Sequence, residues 1–190
     1  TISASGTLQP TRSVDVGSEL SGTLEAVLVN ENDTVKQGQV VARLDTSKLQ
    51  DTAAKSRAAV AAAVANVAQM EATVAESRAN LNRLRHVAEL SGGKVPSKTE
   101  LESAEASYQR AVANVDSAKA AVVQAQATLK SDETNIAKAV IRAPINGVVL
   151  TRKVEPGQTV AATMTTPVLF TMAEDLTKME LQAKAHKPDL

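Results

Sequence analysis

Cysteine is missing from this 190-residue chain, and aromatic side chains nearly so: Tyr108 and Phe170 stand alone. Without cysteine there is neither a disulfide framework nor a thiolate metal site, and the absence fits an oxidising compartment. Two aromatics argue against a thick globular core, because aromatic rings bury the most area per residue. Charge of one sign is missing too. Lys and Arg together number 21, and so do Asp and Glu. A nucleic-acid binder would carry a basic excess and stacking aromatics, so no nucleic-acid partner is expected. No signal peptide and no apolar run of spanning length is expected either. The chain opens on Thr1 and stops inside the alternating stretch "LQAKAHKPDL". It reads as a piece of a longer protein.

Glycine and proline are missing where helices need them to be. None occurs between Gly38 and Gly92, nor between Pro96 and Pro144. Both stretches are rich in alanine, glutamine, glutamate, lysine and arginine, which favour helix. Breakers gather only in "SGGKVPS", Ser91 to Ser97, so two long helices joined by a turn are predicted over 47–139. Val60, Val67, Val74, Leu81 and Ala88 recur every seven residues, with Ala63, Met70 and Leu84 three further on and Ser77 as a polar interruption. Leu101, Tyr108, Val115, Val122, Leu129 and Ile136 do the same, partnered by Ala104, Ala111, Ala118 and Ala125. Sustained a and d positions define a coiled-coil seam, and small alanines at d allow close backbone approach. Ser97 is the expected N-cap of the second helix, with Glu100 as its capping-box partner. Roughly forty residues per helix at 1.5 Å each give a hairpin on the order of 60 Å long, whose ends return to one place.

On either side of that hairpin the chain repeats itself. "GTLEAVLVNENDTV" from Gly22 and "GVVLTRKVEPGQTV" from Gly147 align without a gap. Asn32 meets Gly157, and both tolerate positive φ, so each copy reads as strand, tight left-handed turn, strand. The hairpin brings Asp45 and Val140 together, and the copies become halves of one small β domain, 11–46 and 140–173. Each half alone is expected to be a hairpin with an unburied face, marginal in water. Paired, they should bury Leu24, Val27 or Leu28, and Val35 against Val148 or Val149, Val160 and Leu169. The fold class is α+β: a β domain split by a long antiparallel helical hairpin.

Catalytic chemistry finds no footing. His86 and His186 have no acidic or cysteine neighbours at ligand spacing, and two isolated histidines make no metal site. Met70 falls on the seam. Met164, Met172 and Met179 fall in β regions, where core filling is expected. No nucleophile, base and orienting group assemble, so an enzyme is not expected, nor a cofactor.

The ordered set "VDVGSELSGTLEAVLVNENDTVKQGQVVARLD", long helical hairpin, "VIRAPINGVVLTRKVEPGQTVAATMTTPVLFTMAEDLTKMEL" resembles the periplasmic adaptor proteins, or membrane fusion proteins of the HlyD family. Within them it looks most like the MacA-type adaptors of ABC efflux pumps. The resemblance implies that the split β domain is lipoyl-like, and that residues 1–10 and 174–190 belong to an adjoining β-barrel domain. It implies a periplasmic protein anchored to the inner membrane through a segment absent from this chain. It also implies a bridge from an inner-membrane transporter, ABC rather than RND, to a TolC-like outer-membrane channel. The assembly it implies is a homo-oligomer, a hexamer, with the hairpins forming a tube and the lipoyl domains a ring.

Adaptors that meet TolC carry an Arg, a Leu four on and a Ser seven further, across the hairpin turn. Here Leu90 and Ser97 keep the separation, His86 takes the Arg position, and Arg83 and Arg85 lie close by. These five are the expected channel contacts. In the ring, the turn "VEPGQT" is the candidate pore-facing loop, with Glu155 and Gln158 as its polar side chains. Two rivals remain. "VARLDTSKL" resembles the turn of an acyl-carrier domain, in which Lys48 would be lipoylated or biotinylated. The heptads alone would also suit a structural coiled-coil scaffold.

Overall fold

The computed structural model describes residues 12–175, and these fall into two compact units divided at Lys48/Leu49 and at Glu133/Thr134. The expected β-barrel fragments, residues 1–10 and 174–190, lie outside the described residues apart from Glu174 and Asp175, as do His186 and Met179.

The helical unit holds most of two long helices, α1 (Ser47–Leu90) and α2 (Lys98–Lys138). Its exposure pattern follows the heptads residue by residue. Leu81, Ala104, Ala111, Val115 and Ala118 are buried, and Val60, Val67, Met70, Val74, Tyr108 and Val122 are half-buried. The seam runs further than the heptads suggested, to Ala53 and Ser56 on α1. There Ser56 Oγ donates to Asp132 Oδ2. Three ties fix the antiparallel register: Ser56 on Asp132, the Arg78 guanidinium over the Tyr108 ring at 5.7 Å, and Arg85 on Glu105 at 3.7 Å. A polar pair at a core position costs some stability and penalises every other register. One expectation is corrected here. By length and composition α1 does contain an 18-residue window apolar enough to cross a membrane. Alanine is the reason. It raises the mean hydropathy of "AAVAAAVANVA" while adding little apolar area; Val60 and Val67 of that stretch keep the seam spacing, and Val64 lies exposed beside it.

Among the described residues, the β unit has eight strands in two four-stranded sheets. These are β1 (Ser13–Gly17), β2 (Gly22–Val27), β3 (Thr34–Val35), β4 (Val40–Leu44), β5 (Val140–Arg142), β6 (Gly147–Arg152), β7 (Thr159–Val160) and β8 (Val168–Glu174). One sheet runs β1-β8-β6-β3 and the other β5-β4-β2-β7. Each sheet therefore takes two strands from either side of the inserted hairpin. The chain leaves at the end of β4 and returns at β5, with Leu44 N–H donating to Ala139 O at 2.9 Å and Arg43 paired with Val140. This is the split β domain, and neither half supplies a whole sheet.

Each copy is strand, left-handed turn and strand as read, but the turn closes no hairpin, which corrects the expectation that each half is one: β2 pairs with β4, and β6 with β8. β2 does not pair with β3. Instead β3 pairs with β6 and β7 pairs with β2, so each copy lends its short strand to the other. The exchange is symmetric down to single bonds. Gly22 lies opposite Val160 and Val35 opposite Gly147. Gly157 N–H donates to Leu24 O and Asn32 N–H to Val149 O, both at 2.8 Å. Leu24 N–H donates to Gln158 O and Val149 N–H to Asp33 O, both at 2.9 Å. In each pair the donors, like the acceptors, occupy equivalent positions of the repeat. A short strand that finds its partner only across the hairpin insertion makes the two halves depend on one another.

Phe170, Leu24, Leu44, Leu169, Met172, Val35, Val41 and Val149 are essentially inaccessible, each worth about 1.5–3 kcal/mol of burial. Val27 is half-buried and Leu28 is exposed, so neither joins this core; Val29 does instead, at 2% exposure, with its repeat partner Val154 at 4%. The inward alternation from Leu24 ends with β2 at Val27, and the parity shifts before the turn. Met164 lies at 95% exposure in the loop after β7, not in the core. Only Met172 of the β-region methionines described here fills the interior.

Candidate functional site

At the turn between the two helices, α1 is stopped by two glycines. Gly93 N–H donates to Ala88 O at 2.8 Å and Gly92 N–H to Glu89 O at 3.4 Å, with φ of 68° at Gly92 and 87° at Gly93. This bond pair is the Schellman ending, which satisfies the last carbonyls and needs a left-handed residue just past the helix. Ser91 Oγ then pins the turn, accepting from Val95 N–H at 3.1 Å and lying 2.8 Å from Val95 O. The Val95–Pro96 bond is cis. Ser97 caps α2, its Oγ accepting from Glu100 N–H at 3.2 Å. That bond leaves the Ser97 hydroxyl proton free to donate elsewhere.

This scaffold holds apolar side chains out of the seam. Leu90 is 75% exposed and Val95 53%, with Val87 less open at 38%. The sequence pointed to Leu90 but not to its companions. Val87 could have been found as the valine one place off the seam position Ala88, and Val95 as the only branched residue among the breakers. Arg83 is turned back along its own helix, donating to Asn80 Oδ1 at 2.7 Å. Arg85 faces across to Glu105 at 3.7 Å, with both partners about half exposed; a pair of that kind is worth at most about 1 kcal/mol, so either arginine can be recruited elsewhere. His86 is exposed. It shares a helix face with Arg83, three residues before it, and Leu90, four residues after it. Leu90 and Ser97 thus flank the turn itself, while the three basic residues lie one to two helical turns below it.

In the β unit, the turns Asn30–Asp33 and Glu155–Gln158 are twins. Each closes with a backbone bond of 3.2 Å, Asp33 N–H to Asn30 O and Gln158 N–H to Glu155 O. Each has its left-handed residue third, Asn32 at φ 72° and Gly157 at φ 86°. Pro156 followed by Gly157 is the sequence signature of a type II turn. The two candidate side chains are both engaged there. Gln158 Oε1 accepts from Glu155 N–H at 3.2 Å, and Glu155 Oε2 accepts from Arg152 at 2.6 Å. Gln158 keeps its amide NH2 as its remaining donor.

Lys48 is exposed in the first turn of α1. That turn is capped by Asp45, whose Oδ1 accepts from Ser47 N–H at 2.9 Å and from Ser47 Oγ at 2.7 Å. The same two bonds hold the Asp45 carboxyl below the usual carboxylate range. A carrier lysine stands on a tight turn between two strands. Here the chain leaves β4 straight into a 44-residue helix.

Two interlocked four-stranded sheets, interrupted by a helical hairpin with a glycine-capped apolar tip, define an adaptor-type domain. The family model described as "RND MFP, barrel-sandwich hybrid domain" matches residues 12–172, and the chain belongs to these membrane fusion proteins. It is similar to "Macrolide export protein MacA" of Yersinia pestis, with 31% identity over 98% of this chain and 49% of that protein. It is also similar to "Pyoverdine export membrane fusion protein PvdR" of Pseudomonas aeruginosa, with 32% identity over 100% of this chain and 47% of that one. The crystal structure of MacA from Actinobacillus actinomycetemcomitans superposes with a TM-score of 0.78 at 27% identity, covering 86% of this chain and 53% of that chain. The chain spans about half the length of the curated relatives it matches. It is a MacA-like membrane fusion protein in sequence and in fold.

Proposed function

We propose that this chain is the central part of a periplasmic adaptor subunit, anchored to the inner membrane through a segment outside it. The subunit bridges an inner-membrane transporter to a TolC-like outer-membrane channel. It transmits and aligns rather than catalyses. One observation carries the reading: a helical hairpin of 44 and 41 residues ends in exposed apolar side chains held on a rigid turn. Exposed apolar groups at the end of a long arm are what a partner's helix ends can bury. Leu90 is the apolar knob of that contact, Ser97 offers its hydroxyl, and Arg83, Arg85 and His86 flank it. Six copies in a ring multiply weak contacts into usable avidity, and in that ring the Glu155–Gln158 turn faces the transport path.

The likeness to MacA-type adaptors favours an ABC transporter. An RND pump is the second reading, because the matching family model is described by that class. The inner-membrane protein that co-purifies with the full-length adaptor decides between them. The expected partner hydrolyses ATP, and does so faster with the adaptor bound. Recovery of a pump without ATPase activity establishes the second reading instead.

A further inference from the structure

One side chain joins the twin turns. Arg152, the last residue of β6, donates from one guanidinium nitrogen to Asn30 Oδ1 and from another to Glu155 Oε2, the latter at 2.6 Å. Its backbone N–H lies 3.5 Å from Glu31 Oε1. Asn30 and Glu155 are the residues the repeat makes equivalent. Each opens its turn, and each donates its N–H to the side chain three residues on, Asp33 Oδ2 at 2.8 Å and Gln158 Oε1 at 3.2 Å. The residue equivalent to Arg152 in the first copy is Val27, which can donate nothing from its side chain. The backbone keeps the internal symmetry, and this position breaks it by placing one cation between the two turns. A guanidinium suits the task, because its donors fan out in a rigid plane and reach two acceptors at once. The Arg152 side chain is only 19% exposed, whereas that of Glu155 is 72% exposed. The anchored partner is thus the cation.

We propose that Arg152 is a positioning residue that locks the turns Asn30–Asp33 and Glu155–Gln158 into a single polar edge. Gln158 is then presented to the transport path by a pair of turns that move together, not by a free loop. The Glu155 carboxylate is committed to Arg152, and the Gln158 carbonyl to its own turn. The Gln158 amide NH2 is a donor that edge still offers, beside the side-chain amides of the exposed Asn30 and Asn32. The role in transport rests on the proposal above that this turn faces the path; the lock itself does not.

The test separates the two. Amide hydrogen exchange is measured by NMR on the full chain at Asn32 and Gly157, with Leu44 as the reference amide away from both turns. Arg152→Met is expected to speed exchange at both turn amides at least tenfold and to leave Leu44 unchanged. Arg152→Lys keeps the charge but gathers its donors on one nitrogen instead of spreading them over two, and is expected to leave at least one turn fast. Acceleration at Gly157 alone in Arg152→Met, or at neither amide, overturns the lock. Export by the full-length adaptor is then compared for Arg152→Met, Arg152→Lys and Gln158→Ala. Matching losses in Arg152→Met and Gln158→Ala support the positioning role. Normal export by both, with both amides accelerated, overturns that role and the path-facing reading while the lock stands.

Discussion

Replacing Gly147 with alanine is expected to unfold the β unit, while the same change at its repeat partner Gly22 is expected to be harmless. A Cβ at Gly147 would lie 1.9 Å from the Ala173 carbonyl oxygen and 2.9 Å from its carbon. Those are backbone atoms of β8, and no side chain can swing away to make room. Gly147 is also where β6 meets both β3 and β8, opposite Val35 and Glu174. Relief requires two strand pairings to shift together. Overpacking in a core costs about 1–3 kcal/mol when neighbours can adjust, and a backbone obstacle puts this substitution at the top of that range or beyond. Gly22 meets only the Leu44 side chain, at 3.8 Å, an ordinary contact, so Gly22→Ala should keep or slightly raise stability by restricting the unfolded chain. Gly157→Ala falls between. It has open space, but φ is 86°, and a left-handed alanine costs roughly 1–2 kcal/mol. Methyl NMR resonances of Leu24, Val149 and Leu169 report the outcome. They should collapse in Gly147→Ala and stay dispersed in the other two. Dispersed native shifts in Gly147→Ala would show that the interlocked pairing is looser than described.

Leu90→Asp is expected to abolish export by the full-length adaptor while leaving the hairpin folded. Leu90 is the last residue of α1 and is 75% exposed, so its removal takes little from the seam. An aspartate at a helix C-terminus faces the negative end of the dipole, at a cost of about 0.3–1 kcal/mol. Leu90→Asn removes that charge and serves as the control: both variants should keep wild-type helical circular dichroism, and both should fail to export. Leu90→Ala should retain part of the activity. Ser97→Ala is a poorer probe, because the Glu100 N–H bond goes with it and loss of a cap costs about 1 kcal/mol. Normal export by a stably expressed Leu90→Asp protein would leave the hairpin as a spacer.

Much of this was legible in the sequence because its signals are local or periodic. A heptad names its buried residues without reference to anything distant, and Val60 to Ala88 and Leu101 to Ile136 could be read directly. The polar layer lies beyond the first apolar heptad position, Val60. Extending the same spacing one heptad towards the N-terminus reaches Ser56 and Ala53. The gapless repeat correctly paired Gly22 with Gly147 and Asn32 with Gly157. It could not tell whether Thr34–Val35 folds back on its own copy or crosses to the other, since both choices use the same left-handed turn. The crossing is decided by acceptors at Leu24 and Val149, far away in the chain. Arg152 is hidden in the sequence for a related reason. In the alignment it faces a valine and looks like noise, and its meaning appears only when Asn30 and Glu155 are side by side.

The tip contact is the claim on which the functional account rests, and site-specific photocrosslinking tests it most directly. A photoreactive residue is placed at Leu90, at Val95, or at the exposed α1 position Val64, in full-length adaptor expressed beside its transporter and outer-membrane channel. The account predicts crosslinks to the outer-membrane channel from Leu90 and Val95, none to the channel from Val64, and loss of the Val95 crosslink when Leu90→Asp is added. Crosslinks from Leu90 and Val95 that go only to other copies of the adaptor, or a channel crosslink from Val64 as strong as theirs, would contradict it.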